Sequence, residues 1–327
     1  MRRGMKKYYL LLLGVVAAIF YGCHAPKKGQ KQVAIITPVS HPSFQSMEKA
    51  VMETMEEHSP GKYRFSIYNS QGNKILMRTE IEEVAGKSFD LVVTLGAAAS
   101  KMTKEIFYKR GIATPIVFTA APSPEKFHII DSQALYVTGV KEEVPLQREI
   151  ECLVQAKPEI QRLLLVYNPE SPALVENRGQ LEVLLQALNI RLIVVEVFQA
   201  SEIQRKVTPF ISQVDAVLVL KDNTVVSGLD ALVKLCNLYK VPLMASDLDS
   251  PDRGAALAYG VYEKEFGIEA AKQALQILEA GIPPRDIPVT TPSHFILRLN
   301  EEAAKKQGLK LEKLKSIACE VCYVGSS

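Results

Sequence analysis

Short apolar runs alternate with amphipathic stretches along this chain, and the whole series occurs twice. Residues 33–39 (VAIITPV), 63–68, 91–95 (LVVTL) and 115–119 (PIVFT) read as strands. Between them, 42–58, 74–86 and about 97–109 carry apolar residues at helical spacing, such as Phe44, Met47, Val51 and Met55 in the first. Strands separated by such helices predict βαβ units and a parallel sheet. The second series has strands at 163–167 (LLLVY), 191–197, 216–220 (AVLVL) and 241–245 (VPLMA), with helices at about 172–188, 202–212 and 225–239.

The two series can be laid on each other. VAIITPVSHP opens one and LLLVYNPESP the other; FDLVVTLGAAAS matches VDAVLVLKDNTV, and TPIVFTAAP matches VPLMASDLD. The expected fold is α/β, with two doubly wound parallel-sheet (Rossmann-like) lobes rather than one eight-stranded domain. Beyond the second series, 255–262, 287–290 and 295–299 read as strands, and 263–281 and 301–307 as helices. With 135–140, these give about three crossings between the lobes, a hinge with a cleft. The expected division is 33–138 plus 262–288 for lobe 1 and 139–261 plus 289–318 for lobe 2, with a tail at 319–327. The hinge points fall near Thr138-Gly139, Tyr259-Gly260 and Thr290-Thr291.

Charge bounds the partners. The chain has 39 Lys and Arg against 36 Asp and Glu. Four of the bases (Arg2, Arg3, Lys6 and Lys7) precede a 14-residue apolar run from Tyr8 to Tyr21. The remainder is near neutral, so no nucleic-acid partner is expected. The run is shorter than the ~20 residues of a membrane span and fits a secretory signal peptide over 1–22. Cys23 after Gly22 resembles an acylated lipobox cysteine, and the polar 23–32 segment then serves as a tether. Two acyl chains meet the condition for stable anchoring. The chain is expected to be exported and lipid-anchored to a bacterial membrane, facing the periplasm or the exterior.

Cys152 and Cys236 lie in apolar helical patterns. Cys319 and Cys322 have C-x-x-C spacing without the following helix of a thioredoxin-like site. A tail disulfide and a pair of idle thiols both remain open. No further ligands stand nearby, so no metal is expected, and no cofactor.

In open parallel sheets, ligands bind beyond the carboxyl ends of the strands. The candidate residues there are Ser40, His41, Gly96, Ala97, Ala98, Thr119 and Ala120 in lobe 1. In lobe 2 they are Asn168, Ser171, Asp222, Asn223, Thr224, Asp247 and Asp249. Several open a helix, where free N–H groups favour a carboxylate or other anion. The same residue types also serve as plain helix caps. Asp222-Asn223-Thr224 exceeds what one cap needs, so one of its side chains is expected to be free for a ligand. Asp247 and Asp249 suit an ammonium group or plain solvation. Enzyme signatures are missing: the 18 glycines include no Gly-x-Gly, and there is no Gly-x-Ser-x-Gly or His-Glu-x-x-His.

VSHPSF, NSQGN, FDLVVTLGAAAS, TPIVFTA, YNPESP, LKDNTVVSGLDALV and DSPDRGAALAYGVYEKEFG together carry a resemblance over about residues 33–310. The chain resembles bacterial ABC-transporter substrate-binding lipoproteins of the type I periplasmic-binding-protein fold, in the branch associated with tryptophan, tyrosine and related amino acids. The resemblance implies a monomeric, hinged receptor that delivers a small-molecule ligand to an ABC permease and its ATPase. It also implies Gly-Thr where this chain has Gly96-Ala97, and Thr-Asp-Pro where it has Pro122-Ser123-Pro124. A hydroxyl and a carboxylate near the ligand are thus replaced, leaving Asp222, Asp247 or Asp249 to pair an ammonium. A ligand-binding sensor and an α/β hydrolase are the alternative readings.

Overall fold

The computed structural model describes residues 29–143 and 145–322. The expected signal peptide, Cys23, residues 24–28 of the expected tether and residues 323–327 of the expected tail lie outside the described residues.

Lobe 1 is a five-stranded parallel sheet of β1 (Lys31–Thr37), β2 (Tyr63–Asn69), β3 (Leu91–Leu95), β4 (Ile116–Pro122) and β5 (Val137–Glu142), in the order β2-β1-β3-β4-β5. Helices α1 (Pro42–His58), α2 (Lys74–Ala85) and α3 (Gly96–Arg110) connect the strands. All five residues of β3 are buried, because helices cover both faces of the sheet.

After α4 (Leu146–Ala156), lobe 2 repeats the plan. Its strands are β6 (Arg162–Tyr167), β7 (Arg191–Glu196), β8 (Ala216–Val219), β9 (Leu243–Ala245) and β10 (Leu257–Gly260). Its helices are α5 (Pro172–Ala187), α6 (Ile203–Ile211), α7 (Asn223–Ser227) and α8 (Leu229–Tyr239). The order β7-β6-β8-β9-β10 is that of lobe 1, so the sequence repeat is a repeat of topology. The chain then returns: α9 (Glu263–Leu278) packs against α1 in lobe 1, with Phe266, Ala270 and Ala274 in its core. Finally β11 (Ile296–Asn300), α10 (Glu301–Lys306), α11 (Leu311–Ile317) and β12 (Glu320–Cys322) complete lobe 2.

Several expected boundaries move. β1 begins at Lys31, inside the expected tether, because Lys31 and Gln32 pair with Tyr63 and Arg64. β5 stays in the lobe 1 sheet through Glu142, so the first crossing follows that residue rather than 138. In place of a strand at 287–290 there is one bridge, Val140 to Thr290, and the third crossing lies between Thr290 and Ile296. The helix expected over 225–239 starts at Asn223 and divides at Gly228, where a Cβ would lie 2.7 Å from Ile203 Cδ1. Residues 320–322 belong to the lobe 2 sheet rather than a tail. That sheet is also not wholly parallel: β11 runs against β10, and β12 runs with β11.

Candidate ligand-binding cleft

The carboxyl ends of the strands of both lobes face one cleft. In lobe 1, His41 Nδ1 caps α1 by accepting from Ser43 N at 3.2 Å. Ser40 Oγ accepts from Asn69 Nδ2 at 3.0 Å and Gln71 Nε2 at 3.1 Å, so the loop after β2 braces the loop after β1. Gly96 opens α3 at φ +77°, with the Phe44 ring 3.3 Å from where a Cβ would stand. Only glycine meets both demands cheaply. No side chain caps α3, and the small Ala97 and Ala98 form its first turn. Its first N–H groups are therefore left for solvent or a ligand.

Thr119 is fully buried, and its hydroxyl donates to the Phe266 carbonyl at 3.1 Å, tying β4 to α9. That hydroxyl is committed inside lobe 1. Next to it, Ala120 (φ +52°) and Ser123 (φ +42°) are non-glycine residues in the left-handed region, beside a register shift in β4. Such strain tends to gather at functional sites.

In lobe 2, Asp222 is 3% exposed. Its Oδ1 accepts from Thr224 N at 2.9 Å and Val225 N at 3.2 Å; Oδ2 accepts from Asn168 N at 2.6 Å. Asn168 Nδ2 donates to Thr224 Oγ1 at 3.1 Å, and its Oδ1 accepts from Glu170 N. These bonds lock the loops after β6 and β8 together. Asp222, Asn168 and Thr224 are thus engaged with the protein, and Asn223 is the exposed member of the triplet.

Two hollows lie between the lobes. One, of about 340 Å³, is lined by Pro42, Ser43 and Ser46 of α1, Asp247 and Asp249 after β9, and Tyr262, Glu263 and Lys264 at the second crossing. The other, of about 480 Å³, is lined by Ser123, Lys126 and Glu142 from lobe 1 and Ser171, Glu176, Asn177 and Lys221 from lobe 2. Across the second hollow Lys126 meets Glu176 at 2.5 Å. A third hollow, at the amino ends of β4 and β5, is lined by Ile116 and Val137 and is outside the cleft.

Lys221 joins the lobes at the floor. Its Nζ lies 3.0 Å from Glu142 and 2.9 Å from Glu263, and 5.1 Å above the Phe266 ring. Burial opposes the lysine's charge, and the two carboxylates overcome it and raise its pKa. Burial raises the pKa of Glu263 against the pull of Lys221, with Glu142 and Asp247 adding to the rise. Asp249 is raised by burial and by Asp247 and Asp252. Two carboxylates share one ammonium here, so the floor retains an excess of negative charge. Among the described residues no group of three or more His, Cys, Asp or Glu is placed to hold a metal ion, and no helix is long and apolar enough to cross a membrane.

The family model for ABC transporter substrate-binding proteins matches residues 32–321. The chain belongs to that family. A Rickettsia prowazekii protein without an assigned function is 27% identical over 296 residues, 90% of each chain. A tyrosine-binding protein of Clostridioides difficile is 24% identical, over 88% of this chain and 84% of that one. Among solved structures, a Streptococcus pneumoniae ABC domain in complex with L-Trp superposes with TM-score 0.73 at 21% identity, over 90% of this chain and 100% of that one. A ligand-free, open substrate-binding protein from Clostridium difficile gives 0.76 at 18% identity, with the same coverage. Substrate-binding proteins of ABC transporters are extracytoplasmic.

In this substrate-binding protein the structure brings Asp247 and Asp249 together with Ser43 and Glu263, and Ser171 together with Lys221 and Glu142. Lys221, Glu142, Glu263 and Lys126 are cleft residues that strand-end reading passes over. Lys221 stands directly after the apolar run AVLVL, which is the signal that marks it. Glu142 and Glu263 flank crossings, and so read as hinge rather than wall.

Proposed function

We propose that this chain captures an amino acid or amino-acid-like compound in the inter-lobe cleft. As a monomer held at a bacterial membrane through acylated Cys23, it hands that ligand to an ABC permease and its ATPase. What supports the reading is a pair of unlike handles, each beyond the carboxyl end of a strand, one after β3 in lobe 1 and one after β9 in lobe 2. The uncapped N-terminus of α3 at Gly96-Ala97-Ala98 suits a carboxylate. Asp247 and Glu263, beside one hollow, suit an ammonium. The tyrosine-binding relative and the L-Trp-bound structure support the same ligand class. The lobes close about the crossings that follow Glu142, Gly260 and Thr290, and the ligand favours the closed state by binding both lobes.

Mass spectrometry of the compound retained by the purified protein, followed by calorimetry with that compound, tests the reading. An amino acid that binds, and loses binding when either its carboxylate or its ammonium is blocked, is the expected result. Scattering should show a smaller radius of gyration at saturation. A retained compound lacking both groups, or scattering unchanged by ligand, overturns the proposal. Cys23→Ala should release the protein from membranes.

A further inference from the structure

The C-x-x-C spacing at Cys319 and Cys322 has a different meaning in the fold from the one it suggests in the sequence. Residues 320–322 form the extended strand β12. Cys319 stands at the bend just before that strand and Cys322 ends it; at about 3.3 Å per residue the step from one to the other spans up to ~10 Å between Cα atoms. A disulfide needs roughly 4.4–6.8 Å. Cys319 therefore has to find its partner elsewhere.

The sheet register indicates where. Arg298 pairs with Glu320, which sets Cys319 beside Leu297, and Cys319 N donates to the Leu297 carbonyl at 2.9 Å. Leu297 in turn pairs with Tyr259 of β10. Leu297 shares a core cluster with Ile150 and Leu153 of α4, and Cys152, Tyr259 and Ala318 pack against that cluster. Helix α11, which delivers Cys319, packs on α4. Burial pushes the Cys152 thiol up to about 11, with Cys319 adding to the rise, and both thiols act on the Tyr259 hydroxyl. Both are free thiols in this structure, Cys319 exposed and Cys152 partly buried.

We propose that Cys152 and Cys319 form a disulfide that ties the edge strand β12 to α4. The extracytoplasmic placement of the family supplies the setting in which disulfides persist. The oxidant is a protein or small-molecule disulfide. The exposed Cys319 loses its proton and attacks one donor sulfur, forming a mixed disulfide and releasing the other donor sulfur as a thiolate. Cys152 then loses its proton and attacks Cys319 Sγ, expelling the second donor sulfur. Two electrons and two protons pass to the donor, which ends as two thiols. The bond fastens a three-residue strand that, among the described residues, has a neighbour on one side only. It also closes a long loop of the unfolded chain.

The test is a non-reducing peptide mass map of the folded, full-length mature chain after equilibration with oxidised and reduced glutathione and alkylation of the remaining thiols. A cross-linked peptide containing Cys152 and Cys319 is expected in the wild type and in Cys322→Ser, and is expected to be absent in Cys319→Ser. Dithiothreitol should lower the Tm of the wild type and leave that of Cys319→Ser unchanged. The exposed Cys319 makes its serine variant the one that keeps the fold, and Cys152→Ser repeats the comparison from the other side. A cross-link between Cys319 and Cys322, or complete alkylation of Cys152 and Cys319 after oxidation, overturns the proposal.

Discussion

Lys221, two residues past β8 in lobe 2, and Glu142, the last residue of β5 in lobe 1, form an ion pair of 3.0 Å at the floor of the cleft. Glu263 completes the group at 2.9 Å. The lysine is the cation that lets two carboxylates approach each other there. Lys221→Met strands both acids in a largely buried place. Removing one partner of a buried pair costs about 3–5 kcal/mol. The floor retains some solvent contact, so the expected loss is smaller, about 2–3 kcal/mol in urea unfolding. Scattering without ligand should also show a more open molecule. A variant with wild-type stability and scattering would mean that water already compensates these charges.

Asp222 is predicted to act on stability before affinity. Its carboxylate accepts three backbone N–H groups, from Asn168, Thr224 and Val225. Loss of a cap costs about 1 kcal/mol, and a hydrogen bond to a charged group about 1.5–3 kcal/mol. Asp222→Ala should therefore lower stability by roughly 2–3 kcal/mol. Asp222→Asn keeps the cap oxygen and should lose less. Unchanged unfolding together with weakened ligand binding would assign the carboxylate to the ligand.

Much of the fold was legible because strands covered on both faces are written as unbroken apolar runs. LVVTL and AVLV mark β3 and β8 without help from their neighbours. The likeness between FDLVVTLGAAAS and VDAVLVLKDNTV reflects a shared strand order, so the repeat could be seen before the sheets were. Strand direction is not written that way, and the reversal of β11 and β12 carries no apolar signature. At the candidate site, strand-end reading named loops but could not say how their side chains are spent. Thr119 sits where a ligand contact was expected, yet its hydroxyl turns to the Phe266 carbonyl, a partner set by tertiary packing. The Lys221 group escaped for the same reason: its members lie on three separate segments and meet only when the lobes do.

Glu149 should give the folded state a pH dependence of a particular sign. It is fully buried on α4; Ser246 donates to its Oε1 at 2.8 Å, and Oε2 has no hydrogen-bond partner among the described residues. Burial pushes its pKa up to about 8, against the pull of Ser246. In the unfolded chain it titrates near the ordinary carboxylate value of about 4.3. Between these values the unfolded state has lost the proton that the folded state keeps, so stability falls as pH rises. Glu149→Gln removes that dependence. The variant should match the wild type in acid, gain on it progressively up to about pH 8, and hold a constant lead above that. Parallel stability curves across the range would show that Glu149 is ionised in the fold.

The approach of α9 to α1 rests on Gly267. A Cβ there would stand 2.3 Å from the Met47 carbonyl oxygen and 2.8 Å from Ala50 Cβ. Backbone cannot yield as the end of a flexible side chain does, so the two helices must separate. Thr119 holds α9 to β4 through the Phe266 carbonyl, one residue away, and resists the movement. Overpacking costs about 1–3 kcal/mol, which should exceed the gain of under 1 kcal/mol from replacing a helical glycine with alanine. Gly267→Ala is therefore expected to lower the Tm. Gly179→Ala is the matched control: it also lies within a helix, α5, but a Cβ there meets nothing within 4 Å. It should raise stability by roughly 0.5–1 kcal/mol. Opposite shifts in Tm for the two variants are the expected result. A Gly267→Ala protein as stable as Gly179→Ala would mean that α1 and α9 do not touch at this point.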